Sequence, residues 1–217
     1  MKKIISFSLW GDNPKYTIGA IRNAELTPII FPNWVSRFYC GKSVPEDIIE
    51  KLKSLPQTEV IIMDENGDWT GMFWRFYACE DSDIMLSRDT DSRLSNREKL
   101  AVDEWLESDK DFHIMRDHPY HNTEILGGMW GVRNGLLKNI KELIGDYTKG
   151  DFWQVDQNFL REKIYPLIVN NSFTHDSYLN YTPDSRPFPS ERINREFVGD
   201  VFDENENRHP DYYLKIY

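Results

Sequence analysis

The feature that most constrains this chain is an alternation of period near its beginning. Apolar runs at Lys3–Leu9, Trp34–Cys40 and Thr58–Met63 have strand length. The gaps between them carry helical spacing. Asp12 or Asn13 can cap a helix whose first position is Pro14, continuing through Ile18, Ile21, Ala24 and Leu26. Pro45 opens another, with Ile48, Ile49, Leu52 and Leu55 on one face. Strand–helix–strand–helix–strand predicts an α/β domain with a largely parallel sheet.

The pattern continues with an aromatic, helical stretch at Phe73–Cys79 and a short strand at Asp83–Ser87. Ser95-Asn96-Arg97-Glu98 then reads as a capping box with Glu98 at its third helical position. Its helix carries Ala101, Val102, Trp105 and Leu106. Phe112–Met115 is strand-like, and Gly127–Val132 is a glycine-punctuated strand or turn. Leu136 to Ile144 predicts a helix that Gly145 terminates. Asp151 is placed to cap a helix running through Val155, Phe159 and Ile164, and Phe173–His175 is a last short strand. From 176 to 217 prolines and charges dominate, which predicts an irregular tail packed on one domain.

Composition excludes several classes. The 217 residues suffice to bury a core without staples. Lys and Arg total 26 against 36 Asp and Glu, a net charge of −10, which argues against nucleic-acid binding and anionic membranes. Cys40 and Cys79 sit among apolar neighbours and read as buried, reduced thiols. No run approaches a membrane span, and the first residues lack the features of a signal peptide, so a cytoplasmic location is expected. Phosphate-loop, dinucleotide-binding, nucleophile-elbow and zinc-protease motifs are absent from the sequence.

The sharpest chemical feature is Asp89-Thr90-Asp91, directly after the strand ending at Ser87. Ligands of parallel α/β sheets bind beyond the carboxyl ends of strands. Two carboxylates there suit a hard cation, Mg²⁺ or Mn²⁺, and such an ion would let an acidic chain receive a phosphorylated substrate. Arg88, Arg93, Arg75 and Lys15 are available counter-charges. His118 and His121 could line a pocket or decorate a turn. His175, as a neutral imidazole, is a sensible third ligand. Asp156 falls near the buried face of its helix, where a carboxylate needs a partner or a task.

Taken together, SFSLWGDNPKY, FWRFYACEDSDIMLSRDTDSR, ILGGMWGV and DFWQVDQNFL followed by FTHD resemble nucleotide-sugar glycosyltransferases of the GT-A fold. The order is similar to that of the retaining galactosyl- and glucosyltransferases, and the likeness extends to the amino-terminal domain of a chlorella-virus multidomain glycosyltransferase. It covers roughly residues 3–176. It implies a Rossmann-like, mixed but mostly parallel central sheet flanked by helices. It also implies a metal-dependent hexosyl transfer from a nucleoside diphosphate sugar, a UDP-sugar in particular, to a glycan or other hydroxyl acceptor. On this likeness Ser8, Leu9, Trp10 and Tyr16 border the nucleoside, and Arg75 and Arg88 help hold the donor. Asp89 and Asp91 bind Mn²⁺ or Mg²⁺ with His175. Gly127 and Gly128 let the backbone approach the sugar, and Asp156 and Gln157 face the anomeric region. The segment HDSYLNYTPDSRP departs from the family's basic segment after the late histidine. Arg186 or Arg192 could substitute for it, and Asp117 or Asp156 could serve as a base in an inverting reaction. Two rivals remain at this level: a metal-dependent phosphohydrolase using the same aspartates, and a catalytically silent carbohydrate-binding or scaffold domain.

Overall fold

The computed structural model describes residues 1–147, 150–180 and 182–210. Seven strands form one sheet: β1 (Lys3–Leu9), β2 (Val35–Cys40), β3 (Thr58–Ile62), β4 (Ile84–Ser87), β5 (Phe112–Arg116), β6 (Trp130–Arg133) and β7 (Ser172–Asp176). Their order is β3-β2-β1-β4-β6-β5-β7. Strand β6 runs antiparallel to β4 and β5, and the other pairs are parallel. The sheet is therefore mixed and mostly parallel, as expected.

Helices cover both faces. On one side lie α1 (Pro14–Ile30), α2 (Glu46–Ser54) and α3 (Asn96–Glu107). They pack on Ile5, Phe7, Leu9, Ile84 and Leu86, which alternate along β1 and β4. On the other side lie a 3₁₀ segment (Trp69–Glu80), α4 (Ile140–Gly145) and α5 (Val155–Phe159), prolonged by a π turn over Leu160–Ile164 and by α6 (Tyr165–Ile168). Ile4, Met85, Phe76, Trp130 and Phe159 fill that second core.

Local chemistry sets most element ends. The Asn13 side chain accepts from the Lys15 amide at 3.0 Å and caps α1. The Ser95 hydroxyl accepts from the Glu98 amide at 3.2 Å, but the capping box is half-made. The Glu98 carboxylate is buried and paired with Arg88 instead of reaching back to Ser95. Asp151 does not cap α5. Gln154, in left-handed conformation, precedes that helix, and Asp151 accepts from the Trp69 amide at 3.1 Å. The helix expected over 136–144 is confined to Ile140–Gly145. Both cysteines are free and buried, and burial pushes the Cys40 thiol up to about 12. No helix among the described residues is long and apolar enough to cross a membrane.

The tail is held by buried ionic contacts. Asp117 receives Arg97 at 2.7 Å, Arg192 at 2.6 Å and the Val198 amide at 2.9 Å. Beyond it the chain returns to the turn that follows β4. Ser92 and Val201 form an antiparallel bridge, and the Phe202 amide donates to the Asp91 carbonyl at 2.8 Å.

Candidate functional site

Strand order reverses at β1, whose neighbours are β2 and β4. A crevice opens beyond the carboxyl ends of strands at such a switch point. A cavity of about 660 Å³ lies there. It is bordered by the loops after β1 and β4, the 3₁₀ segment, the Gly127–Gly128 turn before β6, the start of α5, and Gly199 and Val201 of the tail.

Pleat parity decides which predicted residues face it. On β1, Ser8 lies on the cavity side, while Leu9 points into the α1–α2–α3 core and is 1% exposed. Leu9 therefore does not border a ligand. After β4, Asp89 lies on the cavity side and Arg88 turns to α3. Arg88 is 2% exposed, pairs with Glu98 and donates to the Trp130 carbonyl, so it holds no donor group. Trp10, Tyr16, Arg75, Gly127, Gly128, Asp156 and Gln157 all line the cavity.

The charged centre is built around Arg75. Ser8 Oγ accepts from the Arg75 amide at 2.9 Å and anchors its backbone to β1. The guanidinium donates to Asp89 at 2.5 Å and to Asp156 at 2.6 Å. Burial opposes its charge, but the two carboxylates hold it protonated above the usual arginine range. Asp156 is 1% exposed. Burial pushes its carboxyl up, Arg75 pulls it down, and Asp89 adds repulsion. Asp91 is paired with Lys15 at 2.7 Å. Its carboxyl is also raised, by burial first and by Asp89 second.

The glycines line the cavity and also carry a packing task. A Cβ on Gly127 would collide with the Arg75 guanidinium and the Asp156 carboxylate, and one on Gly128 with the Asp89 carboxylate. They make room for this charged cluster. On the other face, buried Asn23 of α1 clamps the Asp89–Ser92 turn. Its amide donates to the Thr90 carbonyl at 3.3 Å and the Ser92 carbonyl at 2.8 Å, and its carbonyl receives the Leu94 amide at 3.1 Å.

His175 is not brought to the aspartates. It lies on β7, three strands from β4, which is roughly 14 Å at ordinary strand spacing. It faces α3, where its Nδ1 meets His113 Nε2 at 2.8 Å and its Nε2 meets Glu104 at 3.1 Å. Both ring nitrogens are engaged, and burial lowers the imidazole's pKa. Arg186, close to the same Glu104, and Arg192, on Asp117, also lie away from the cavity. Asp117 is a buried structural hub and cannot serve as a base there. Arg93 is spent on Glu206.

His121 does line the cavity. Its Nδ1 accepts from the Asp117 amide at 3.0 Å, and burial, with His118 adding to it, pushes the ring down to about 3. An accepting Nδ1 places the proton on Nε2, so this ring is a neutral donor and not a metal ligand. Sequence reasoning missed Trp69, Trp153, Gly199 and Val201 as lining residues. Their places depend on loop and tail paths that no local motif announces.

The donor set at the β4 end, two aspartates with hard oxygen ligands, fits Mg²⁺ or Mn²⁺. Among the described residues, no group of three His, Cys, Asp or Glu side chains is positioned to hold an ion. Any ion here would complete its shell with ligand or solvent oxygen.

No described protein family and no curated protein matches the chain. Solved structures do. Glucosyl-3-phosphoglycerate synthase from Mycobacterium tuberculosis in complex with UDP superposes with a TM-score of 0.51 at 13% identity, over 84% of this chain and 74% of that one. The same enzyme with Mn²⁺, UDP and phosphoglyceric acid gives 0.51 at 13% identity, over 80% and 67%. A glycosyltransferase involved in glycosylating the major capsid of PBCV-1 gives 0.49 at 18% identity, over 83% of each chain. The chain has the GT-A, Rossmann-like fold of glycosyltransferase structures.

Proposed function

We propose that this protein transfers a hexosyl group from a nucleoside diphosphate sugar, a UDP-sugar in particular, to a hydroxyl acceptor. One observation carries the reading. Asp89 and Asp91 leave β4 at the switch point of a GT-A sheet and face a cavity shared with Arg75, Asp156 and Gln157. Asp89 and Asp91 would hold Mn²⁺ or Mg²⁺, which when bound acts as a Lewis acid offsetting the charge of the diphosphate.

The chain's own residues supply the rest. Arg75 fixes Asp89 and Asp156 in one array. Trp10, locked edge-on against Trp74 at 6.2 Å between ring centroids, and Tyr16 give rigid walls for the nucleoside. Asp156, buried and held by a guanidinium, presents fixed negative charge toward the anomeric carbon as positive charge develops there. Gln157 offers an amide beside it to orient sugar hydroxyls. Retention of anomeric configuration accompanies this reading.

The test is calorimetric titration of UDP and GDP into the wild type and Asp91→Asn, with Mn²⁺ and with chelator. Mn²⁺-dependent UDP binding stronger than GDP binding is expected, and Asp91→Asn should abolish the metal dependence. Unchanged Mn²⁺-dependent binding in Asp91→Asn would remove the metal site and most of the case for transfer.

A further inference from the structure

The mechanism leaves two large side chains of the cavity unused. Trp69 is 44% exposed and Trp153 is 64% exposed, and both line the cavity that contains Asp89 and Asp156. A folded chain ordinarily covers indole surface, and exposed rings inside a concavity mark a place where a ligand covers it. One ring opens the 3₁₀ segment and the other stands on the loop before α5, and the two are tied together: Asp151 Oδ1 accepts from the Trp69 amide. Asp68 caps the turn that carries Trp69, accepting from the Thr70 amide at 2.8 Å. The platform is therefore braced before any ligand arrives.

The charge around it selects the ligand. Asp12, Asp68, Asp89, Asp91, Asp151 and Asp156 line the cavity. Among the described residues, Arg75 is the sole Lys or Arg lining it, and its guanidinium is engaged by Asp89 and Asp156. A divalent ion on Asp89 and Asp91 leaves Asp12, Asp68 and Asp151 uncompensated. A phosphorylated or carboxylated acceptor would meet like charge there. An uncharged saccharide meets two complementary surfaces. Its C–H faces, with partial positive charge, lie against the negative faces of the indoles, and its hydroxyls donate to carboxylates.

We propose that Trp69 and Trp153, with Asp68 and Asp151, form the subsite for an uncharged saccharide acceptor. The proposal rests on the sugar-transfer reading of the same cavity and names the acceptor class that reading left open.

The experiment probes a printed array of neutral, phosphorylated and sialylated oligosaccharides with the full chain in Mn²⁺ and UDP. Wild type, Trp69→Ala and Trp153→Ala are compared, and UDP titration of each runs in parallel. Both residues are exposed, so thermal unfolding of the variants should match the wild type. Retention on neutral spots is expected, weakened about tenfold in Trp153→Ala, equivalent to about 1.4 kcal/mol. UDP affinity should be kept. Preference for phosphorylated or sialylated spots, no retention on neutral spots, or retention indifferent to both substitutions would each overturn the proposal. UDP binding without saccharide binding sinks the subsite alone. Tryptophan-dependent saccharide binding without UDP binding upholds the subsite and sinks the transfer reading.

Discussion

Replacing Arg75 by leucine tests the electrostatic logic of the whole site. The substitution keeps an apolar stem but removes the cation between Asp89 and Asp156. The two contacts differ in weight. Arg75 and Asp156 side chains are 6% and 1% exposed, so losing the guanidinium strands a buried carboxylate, which costs about 3–5 kcal/mol. Asp89 is 46% exposed, and its contact, screened by solvent, is worth about 0–1 kcal/mol. The loss should be about 4 kcal/mol, a large share of the roughly 5–15 kcal/mol of a domain. In melting temperature this is roughly 8–16 °C for a chain of this size. Asp156→Asn in the same background should restore much of it, because a neutral amide no longer demands a counter-ion. Arg75→Lys, which keeps one charge but not the two-armed contact, should fall between. Urea unfolding at neutral pH of the wild type, the three single variants and the Arg75→Leu, Asp156→Asn double variant measures the cycle. A loss under about 1 kcal/mol in Arg75→Leu, or simple additivity in the double variant, would refute the claim that burial makes this pair costly to break.

Two further outcomes follow from the same structure. Asp156→Asn in an otherwise wild-type chain should keep UDP binding but lower single-turnover transfer at least about tenfold, or about 1.4 kcal/mol of barrier; unchanged turnover would make Asp156 only the structural partner of Arg75. In the tail, burial pushes the Asp200 carboxyl up to about 6 despite Arg208 beside it. Because this folded value lies above the ordinary ~3.9, its contribution to stability is complete below about pH 4 and is lost as pH rises through about 6. Asp200→Asn should flatten that slope in pH-dependent thermal unfolding, and an unaltered slope would contradict the assignment.

Much of the fold was written in local pattern. Apolar runs of strand length alternating with Pro-initiated helices specified β1, β2 and β3 to within a residue at each end, and the starts of α1 and α2, because strand and helix periods are short-range properties of the chain. The Asp-Thr-Asp turn was legible for the same reason: it directly follows an apolar strand, and strand ends are where an α/β sheet opens. Ser8, Arg75, Asp89 and Asp156 then proved to share one cavity.

Other features needed the third dimension. Leu9 and Arg88 are each adjacent in sequence to a cavity residue, yet the pleat turns both into the opposite face. Glu98 satisfies the rule for a capping box, but the buried cation of Arg88 is a stronger demand than a helix-end amide. His175 has the right type and place in the order of motifs, but strand order decides distance, and β7 was inserted at the far edge against β5. Trp69, Trp153 and Val201 entered the site through contacts spanning many residues: the Asp151 carboxylate on the Trp69 amide, and the tail bridge onto Ser92. Period and capping act within a few residues and can be read along the chain. Which face, which neighbour and which loop meets which are set by packing across the sheet, and only the tertiary structure decides them.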